Sequence, residues 1–317
     1  QQLTLTQMAQ EMDRQQTAKA DYIANSPALA MNIDTDNIPT LTLQNGETKT
    51  FGIRDHAHGQ IANRLGVPKP YYDRMRRDAP HLLADNVNHW LQDTNERRMV
   101  RTLDGQVRAV MSDRYQRIEN YETAQVVIPI LMEQPDLQIV SCAITETKLY
   151  IKAVFPRVQG EVKKGDVIQS GVVVSNSEVG SGAARVQRMS YRLLCLNGMI
   201  GETDVRAQHI GPRAVEGEAV YEMLTDETKA ADDKVVLLKM RDVIRAYTNQ
   251  EQFDTWLDRM REAADERMTG NPVKAVELLA LKNTLTQGEQ GDVMRHLIEG
   301  GDLSRWGLLN AVTRASQ

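Results

Sequence analysis

Cysteine is scarce: only Cys142 and Cys195 occur in 317 residues. Two cysteines allow at most one bridge. Both lie inside apolar, strand-like runs, which favours buried thiols in a reducing compartment over a disulfide. Aromatic residues make up only 5%, with three Trp and three Phe, so a core must rest on aliphatic side chains and the 14 Met. Long apolar runs are missing too. VVIPILM at 126–132 is far too short to span a bilayer. The segment QQLTLTQMAQEMDRQQ carries no basic-then-apolar leader, so a cytoplasmic protein without membrane contact is expected. No GxxxxGK[ST] phosphate loop occurs, and no GxGxxG opens a helix after a strand. GSG at 180–182 falls between two strands and reads as a turn. His56 and His58 stand two apart with no HExxH or cysteine pair to complete a metal set, so both read as structural. Neither a cofactor nor catalysis is expected.

What is present is the balance of a globular chain, with 41% hydrophobic and 26% charged residues. Net charge is −5, but it is unevenly placed. Residues 97–118 carry six arginines against Asp104 and Asp113. Residues 181–200 carry Arg185, Arg188 and Arg192 and no acid, whereas 201–236 hold nine acids against four bases. A basic centre beside an acidic segment suits a nucleic-acid groove, and equally a set of solvated faces.

The hydrophobic pattern predicts an α+β chain rather than alternating βαβ units. Residues 1–35 read as a helix, with Leu5, Met8 and Met12 on one face and Thr6 as a cap, followed by a loop. NIPTLTLQNGETKTFGI reads as a hairpin turning at Asn45-Gly46. Two helices follow in RDHAHGQIANRLGVPKPYYDRMRR, then a third over about 80–92, where Leu82, Leu83, Val87 and Trp90 share a face. Strands begin after residue 98, interrupted by a helix near 120–134 that Pro129 kinks or delays. LQIVSCAITETKLYIKAVFP is a second hairpin with TETK as its turn, and a third spans VIQSGVVV to CLNGMIG. The chain is helical from about 214, with a break at Gly270-Asn271-Pro272. Three regions are expected: 1–98 with the helix pair, a β-rich antiparallel core at 99–213, and a helical part at 214–317.

The helix pair at 54–77 has the outline of a helix-turn-helix. A reading helix presents polar side chains early in its second helix. Here those positions are Pro68, Lys69, Pro70, Tyr71 and Tyr72, so Lys69 is the lone early donor and Arg74, Arg76 and Arg77 suit phosphates better than bases. The β-rich centre offers more. Arg108, Ser112 and Arg114 share strand parity, with Arg101 and Arg117 close by. Lys148 and Lys152 share a face with Tyr150 between them, and Arg188 and Arg192 share one with Ser190 between, with Arg185 near. Such a sheet can hold a phosphate backbone while Tyr115 or Tyr150 stacks on unpaired bases. A half-exposed antiparallel sheet has the same look.

HAHGQIANRLGVPKPYYDRM, NVNHWL, RTLDGQVRAVMSDRYQRIEN, GVVVSNSEVGSGAARV, YRLLCLNGMI and RWGLLNAVTRAS, in that order between about 48 and 315, resemble the phage/plasmid-like family of domain of unknown function 932. That resemblance implies a role in the DNA metabolism of mobile elements. The order strand, helix, hairpins over 106–155 is also similar to single-strand annealing recombinases of the Red-beta and RecT kind. It implies an ATP-independent oligomer that holds single-stranded DNA in a basic groove and anneals it. The DNA-binding residues expected on this reading are Arg101, Arg108, Arg114, Tyr115, Arg117, Lys148, Tyr150, Lys152, Arg185, Arg188 and Arg192. The alternatives are an adaptor or anti-defence factor that contacts a host protein through 201–236, and a duplex-DNA regulator using Lys69 and Arg74.

Overall fold

A computed structural model describes residues 2–193, 197–207, 225–268 and 270–316, with only the backbone at 197, 198, 202, 203, 226 and 229. Cys195 and residues 208–224 of the acidic segment lie outside the described residues. The architecture is α+β, with helices packed on two sheets.

The first helix, α1 (Leu5–Ala18), starts at a capping box: the Thr4 hydroxyl takes the Gln7 amide while the Gln7 side chain takes the Thr4 amide. The cap is therefore Thr4, two residues before the expected Thr6. Met8 and Met12 are its buried face. The expected loop after it is instead two strands, β1 (Lys19–Asn25) and β2 (Leu29–Ile33). KADYIAN shows no clean alternation, and its partner β5 (Arg97–Leu103) lies some 80 residues away, so the pairing is non-local. The expected hairpin is present as β3 (Pro39–Asn45) and β4 (Glu47–Ile53), with Gly46 at φ 76°. β5 turns into β6 (Gln106–Ser112) through Asp104-Gly105, both at positive φ, the geometry such two-residue turns require. The sheet order is β1-β5-β6-β4-β3-β2, and β4 runs parallel to β6. β5 thus crosses residue 98, and β6 pairs with strands on both sides of it.

Helices α2 (Asp55–Arg64), α3 (Lys69–Asp78) and α4 (Pro80–Asp93) cover one face of this sheet, packing Ala57, Ile61, Tyr72, Met75, Leu83 and Val87 against Leu29, Met31, Leu41, Leu43 and Val100. Leu83 and Val87 of the expected α4 face are buried, while Leu82 and Trp90 are exposed. α5 (Asn120–Met132) starts on time and continues across Pro129 to end three residues later. The second sheet is antiparallel, β11-β10-β9-β8-β7, built from β7 (Gln138–Ile144), β8 (Leu149–Glu161), β9 (Val167–Asn176), β10 (Ala184–Arg192) and β11 (Asn197–Ala207). Its inner face, including Ile151, Phe155, Val172 and Val186, shares a core with α1, α5, α6 (Asp226–Tyr247) and α7 (Gln250–Asp265). α8 (Pro272–Lys282), α9 (Gln287–Gly300) and α10 (Arg305–Ala315) form a smaller core of their own around Val276, Val293, Leu297 and Ala311. Trp306 of α10 reaches back into the main core, where its indole N–H donates to Asp166 at 3.0 Å.

Candidate functional site

The two sheets meet over a buried group of charges. Lys19 and Asp21 of β1, and Arg101 of β5, project from the first sheet on the side away from α2–α4, because alternation puts Val100 on the helix side and Arg101 opposite. Arg101 Nε donates to Asp21 at 2.8 Å, Nη1 to the Glu178 carbonyl at 2.9 Å, and Nη2 to Glu119. Lys19 donates to Glu119 at 2.7 Å and stands 3.6 Å from Glu178. Arg108 Nη1 donates to Glu178 at 2.7 Å. Glu178 also accepts the Asn120 amide at 2.8 Å, at the start of α5. Three cations thus meet three carboxylates where strand, helix start and the β9–β10 loop converge.

Burial penalises every ion here, so what remains charged depends on partners. Burial alone would raise Glu119, yet the Arg101 and Lys19 charges outweigh it and hold the carboxyl well below its usual range. For Glu178 burial acts with the neighbouring Glu119 carboxyl, and together they push it above the usual range despite Arg108. Arg101 is held protonated by Glu119 and Asp21 against the burial that opposes it.

This arrangement corrects the expected DNA surface. Arg101 is 0% and Arg108 4% exposed, and both face carboxylates rather than solvent. Shared parity of Arg108, Ser112 and Arg114 fails for a local reason. Arg101 pairs with Ala109 and Thr102 with Val107, so Arg108 is the extra residue of a β-bulge, which re-aims its side chain. Strand β6 then ends at Ser112, before Arg114. On the second sheet, Tyr150 lies across from Ser175, which lies across from Arg185, and Lys152 shares their face. Arg188, Ser190 and Arg192 point the other way, toward the helices. Arg188 stacks on Tyr247 and Trp256, with its guanidinium carbon 4.6 and 5.4 Å from the ring centroids. The Ser190 hydroxyl accepts from the Trp256 indole at 2.9 Å. Arg192 grips Asp166 side-on at 2.5 and 2.8 Å. The second-sheet residues are therefore divided between two faces.

Helix α3 holds its charges in local pairs: Lys69 with Asp73, Arg76 with Asp55 at 2.7 Å, and Arg77 with Asp78 at 2.8 Å. His58 is sealed in the core with Nδ1 2.8 Å from the Tyr72 hydroxyl, and burial pushes its pKa down to about 3. His56 Nε2 lies 3.0 Å from the Val179 carbonyl. Burial pushes the Cys142 thiol up to about 11, so it is a packing group against Met8 rather than a nucleophile. Among the described residues no group of three or more His, Cys, Asp or Glu side chains is placed to hold a metal. No helix among them is long and apolar enough to cross a membrane.

Two large clefts flank the buried charges. One, of 1290 Å³, lies between the start of β5, the 112–117 turn and α6. It is lined by Arg97, Arg98, Arg114, Tyr115 and Arg117, with Glu96, Asp113 and Asp233 among them. The Arg97 and Arg117 side chains are 65% and 50% exposed. Tyr115 is fixed by its hydroxyl, which donates to the Ser177 carbonyl at 2.7 Å. The other cleft, of 990 Å³, opens between α1, the β5–β6 turn, the start of α2 and the β7–β8 turn, with Arg108, Asn120 and Glu178 among its lining.

Residues 107–317 match the family described as Domain of unknown function (DUF932). The chain belongs to that family. No curated protein and no solved structure matches the chain. The DUF932 match opens at Val107 in β6, so Arg108, Glu119 and Glu178 lie inside it, while Lys19, Asp21 and Arg101 come from the part of the chain before it. The buried ion cluster is thus one part of the junction between the DUF932 match and the preceding strands, beside the pairing of β6 with β5 and β4. Sequence reasoning missed Lys19, Asp21, Glu119 and Glu178, because their bonds span 18 to 100 residues. Arg97 and Arg98 are visible in the sequence only through the charge of 97–118. That local excess of arginine is the signal that could have found them.

Proposed function

We propose that the protein binds single-stranded DNA in the arginine-lined cleft and anneals complementary strands as an oligomer, without ATP. The observation that carries this reading is the 1290 Å³ cleft lined by Arg97, Arg98, Arg114 and Arg117 with Tyr115 beside them. The exposed guanidiniums of Arg97, Arg114 and Arg117 suit phosphates, which accept two parallel N–H groups, whereas Arg98 is buried against Glu96; an unstacked base can stack on the face of an aromatic ring such as Tyr115. A mixed-charge cleft beside a sheet suits a flexible single strand better than a rigid duplex that needs a reading element in its groove. The ion-paired α3, with Pro68 and Pro70 at its start, does not offer such an element. The membership in DUF932 adds no chemistry, so the reading stands on the cleft.

The test is fluorescence anisotropy with labelled single-stranded and duplex oligonucleotides over a salt series. Saturable binding that prefers single strands and weakens with salt is expected. Changing Arg97, Arg114 and Arg117 together to Ala should make log K fall less steeply with log salt, by about 0.7 for each phosphate that is no longer neutralised. Binding that this variant leaves unchanged, or no binding by the wild type at low salt, overturns the proposal.

A further inference from the structure

The second cleft holds an unmet demand. Arg108 is 4% exposed, and only its Nη1 has a partner, the Glu178 carboxylate at 2.7 Å. Its Nε and Nη2 are buried with no hydrogen-bond partner among the described residues. Those two nitrogens are not scattered. Nε–H and the neighbouring Nη2–H project in parallel from one edge of the planar guanidinium, the edge that receives two oxygens of one carboxylate or phosphate. A buried charged donor left unmet is costly, so an entire unmet edge calls for a ligand.

Arg108 lines a cleft of 990 Å³, within the range of small-molecule sites. The cleft is of mixed charge, with Glu11, Asp55, Asp104 and Glu146 in its lining, but Asp104 is paired with Arg14 and Arg54, Glu11 with Arg14, and Asp55 with Arg76. Asn120 and Glu178 line it beside Arg108, and Lys148 stands on the β7–β8 turn. The Lys148 ammonium rests over the Tyr150 ring at 5.8 Å, with no carboxylate within ion-pair distance among the described residues. Leu3, Ile53, Leu103 and Ile144 supply apolar wall. The two Arg108 nitrogens expose almost no surface, so an entering anion reaches them only after neighbouring cleft side chains shift. One water oxygen could meet both N–H groups only as a bent, shared pair, whereas an oxyanion meets each in line.

We propose that this cleft is a binding site for a small-molecule oxyanion, a carboxylate or a phosphate, held side-on by Arg108 Nε and Nη2 with Lys148 as a second cation. The bulge in β6 is what delivers Arg108 to that position. The site is separate from the arginine cleft and does not rest on DNA binding.

Isothermal titration calorimetry on the full chain tests it, with succinate and inorganic phosphate as separate titrants. One saturable site for succinate assigns a carboxylate, one for phosphate assigns a phosphate, and binding of both assigns the shared oxyanion chemistry. R108K keeps the positive charge beside Glu178 but removes the side-on edge, so it should bind at least about tenfold more weakly. A second variant spares the buried cluster: T147W places a bulky ring on the cleft-lining turn and should weaken binding by obstruction. No saturable binding of either anion to the wild type overturns the proposal. So does binding that both folded variants retain in full.

Discussion

Arg101 has no exposed surface, yet it donates to Asp21, Glu119 and the Glu178 carbonyl at once. Removing one partner from such a group leaves the others buried without compensation. R101A should therefore cost about 3–5 kcal/mol in chemical denaturation. Replacing an exposed cation such as Arg157, paired with Asp136 at the surface, should cost less than about 1 kcal/mol. His58 supplies a different residue-level test. Its folded pKa is about 3, below that of an unfolded histidine, so the unfolded chain binds the extra proton. Its contribution is present above about pH 6.5 and is lost as pH falls toward 3. The wild type should lose up to about 1.4 kcal/mol per pH unit more steeply than H58Q in that window, measured by urea denaturation at a series of pH values. The sequence marked His56 and His58 as structural but did not tell that His58 is sealed in the core and His56 only partly buried, and the ion cluster was not legible either. An arginine in a strand looks the same whether it faces water or a carboxylate brought from far along the chain.

At the scale of elements, local chemistry decided what could be read in advance. Asn45-Gly46 and TETK marked their hairpins, and Asn271 with Pro272 marked the start of α8, because turns and caps are written in adjacent residues. β1 carried no such mark, since its bonds go to distant β5, whereas β2 pairs with adjacent β3 across a turn at 34–37 that the sequence reading passed over. The β6 bulge was equally hidden, and with it the direction of Arg108. Glycine gives an element-level prediction. Gly171 sits mid-strand in β9 between β8 and β10. A Cβ there would lie 2.6 Å from the Ala153 carbonyl oxygen and 2.8 Å from the Met189 methyl. The methyl can move but the strand backbone cannot, so G171A should cost about 1–3 kcal/mol by overpacking. The cap of α9 is a milder case. Thr286 and Glu289 form a capping box, and T286A should cost about 1 kcal/mol in the same assay.

Across the whole molecule, the first sheet with α2–α4 and the second sheet with α5–α7 keep separate hydrophobic cores. What joins them includes α1, the small cluster of Met99, Ala109, Met111 and Val179, and the buried ions. A buried ion pair is weak evidence of net stability, because well-packed apolar residues often do as well. Its value here is alignment: Arg101 accepts only a geometry in which β1, the start of α5 and the β9–β10 loop are all in place. Breaking it should therefore lower cooperativity as well as stability. The three tryptophans make this measurable. Trp90 belongs to α4 beside the first sheet, whereas Trp256 and Trp306 pack in or against the second core. In a W90F background fluorescence follows the second half alone, while far-ultraviolet circular dichroism follows both. The two urea transitions should coincide with Arg101 intact, as in a two-state molecule. With R101A added they should separate, the circular dichroism curve showing a second step for the half that fluorescence does not see. Coincident curves in both proteins would mean that α1 and the apolar packing couple the sheets without help, and that the ions only fill the space between them.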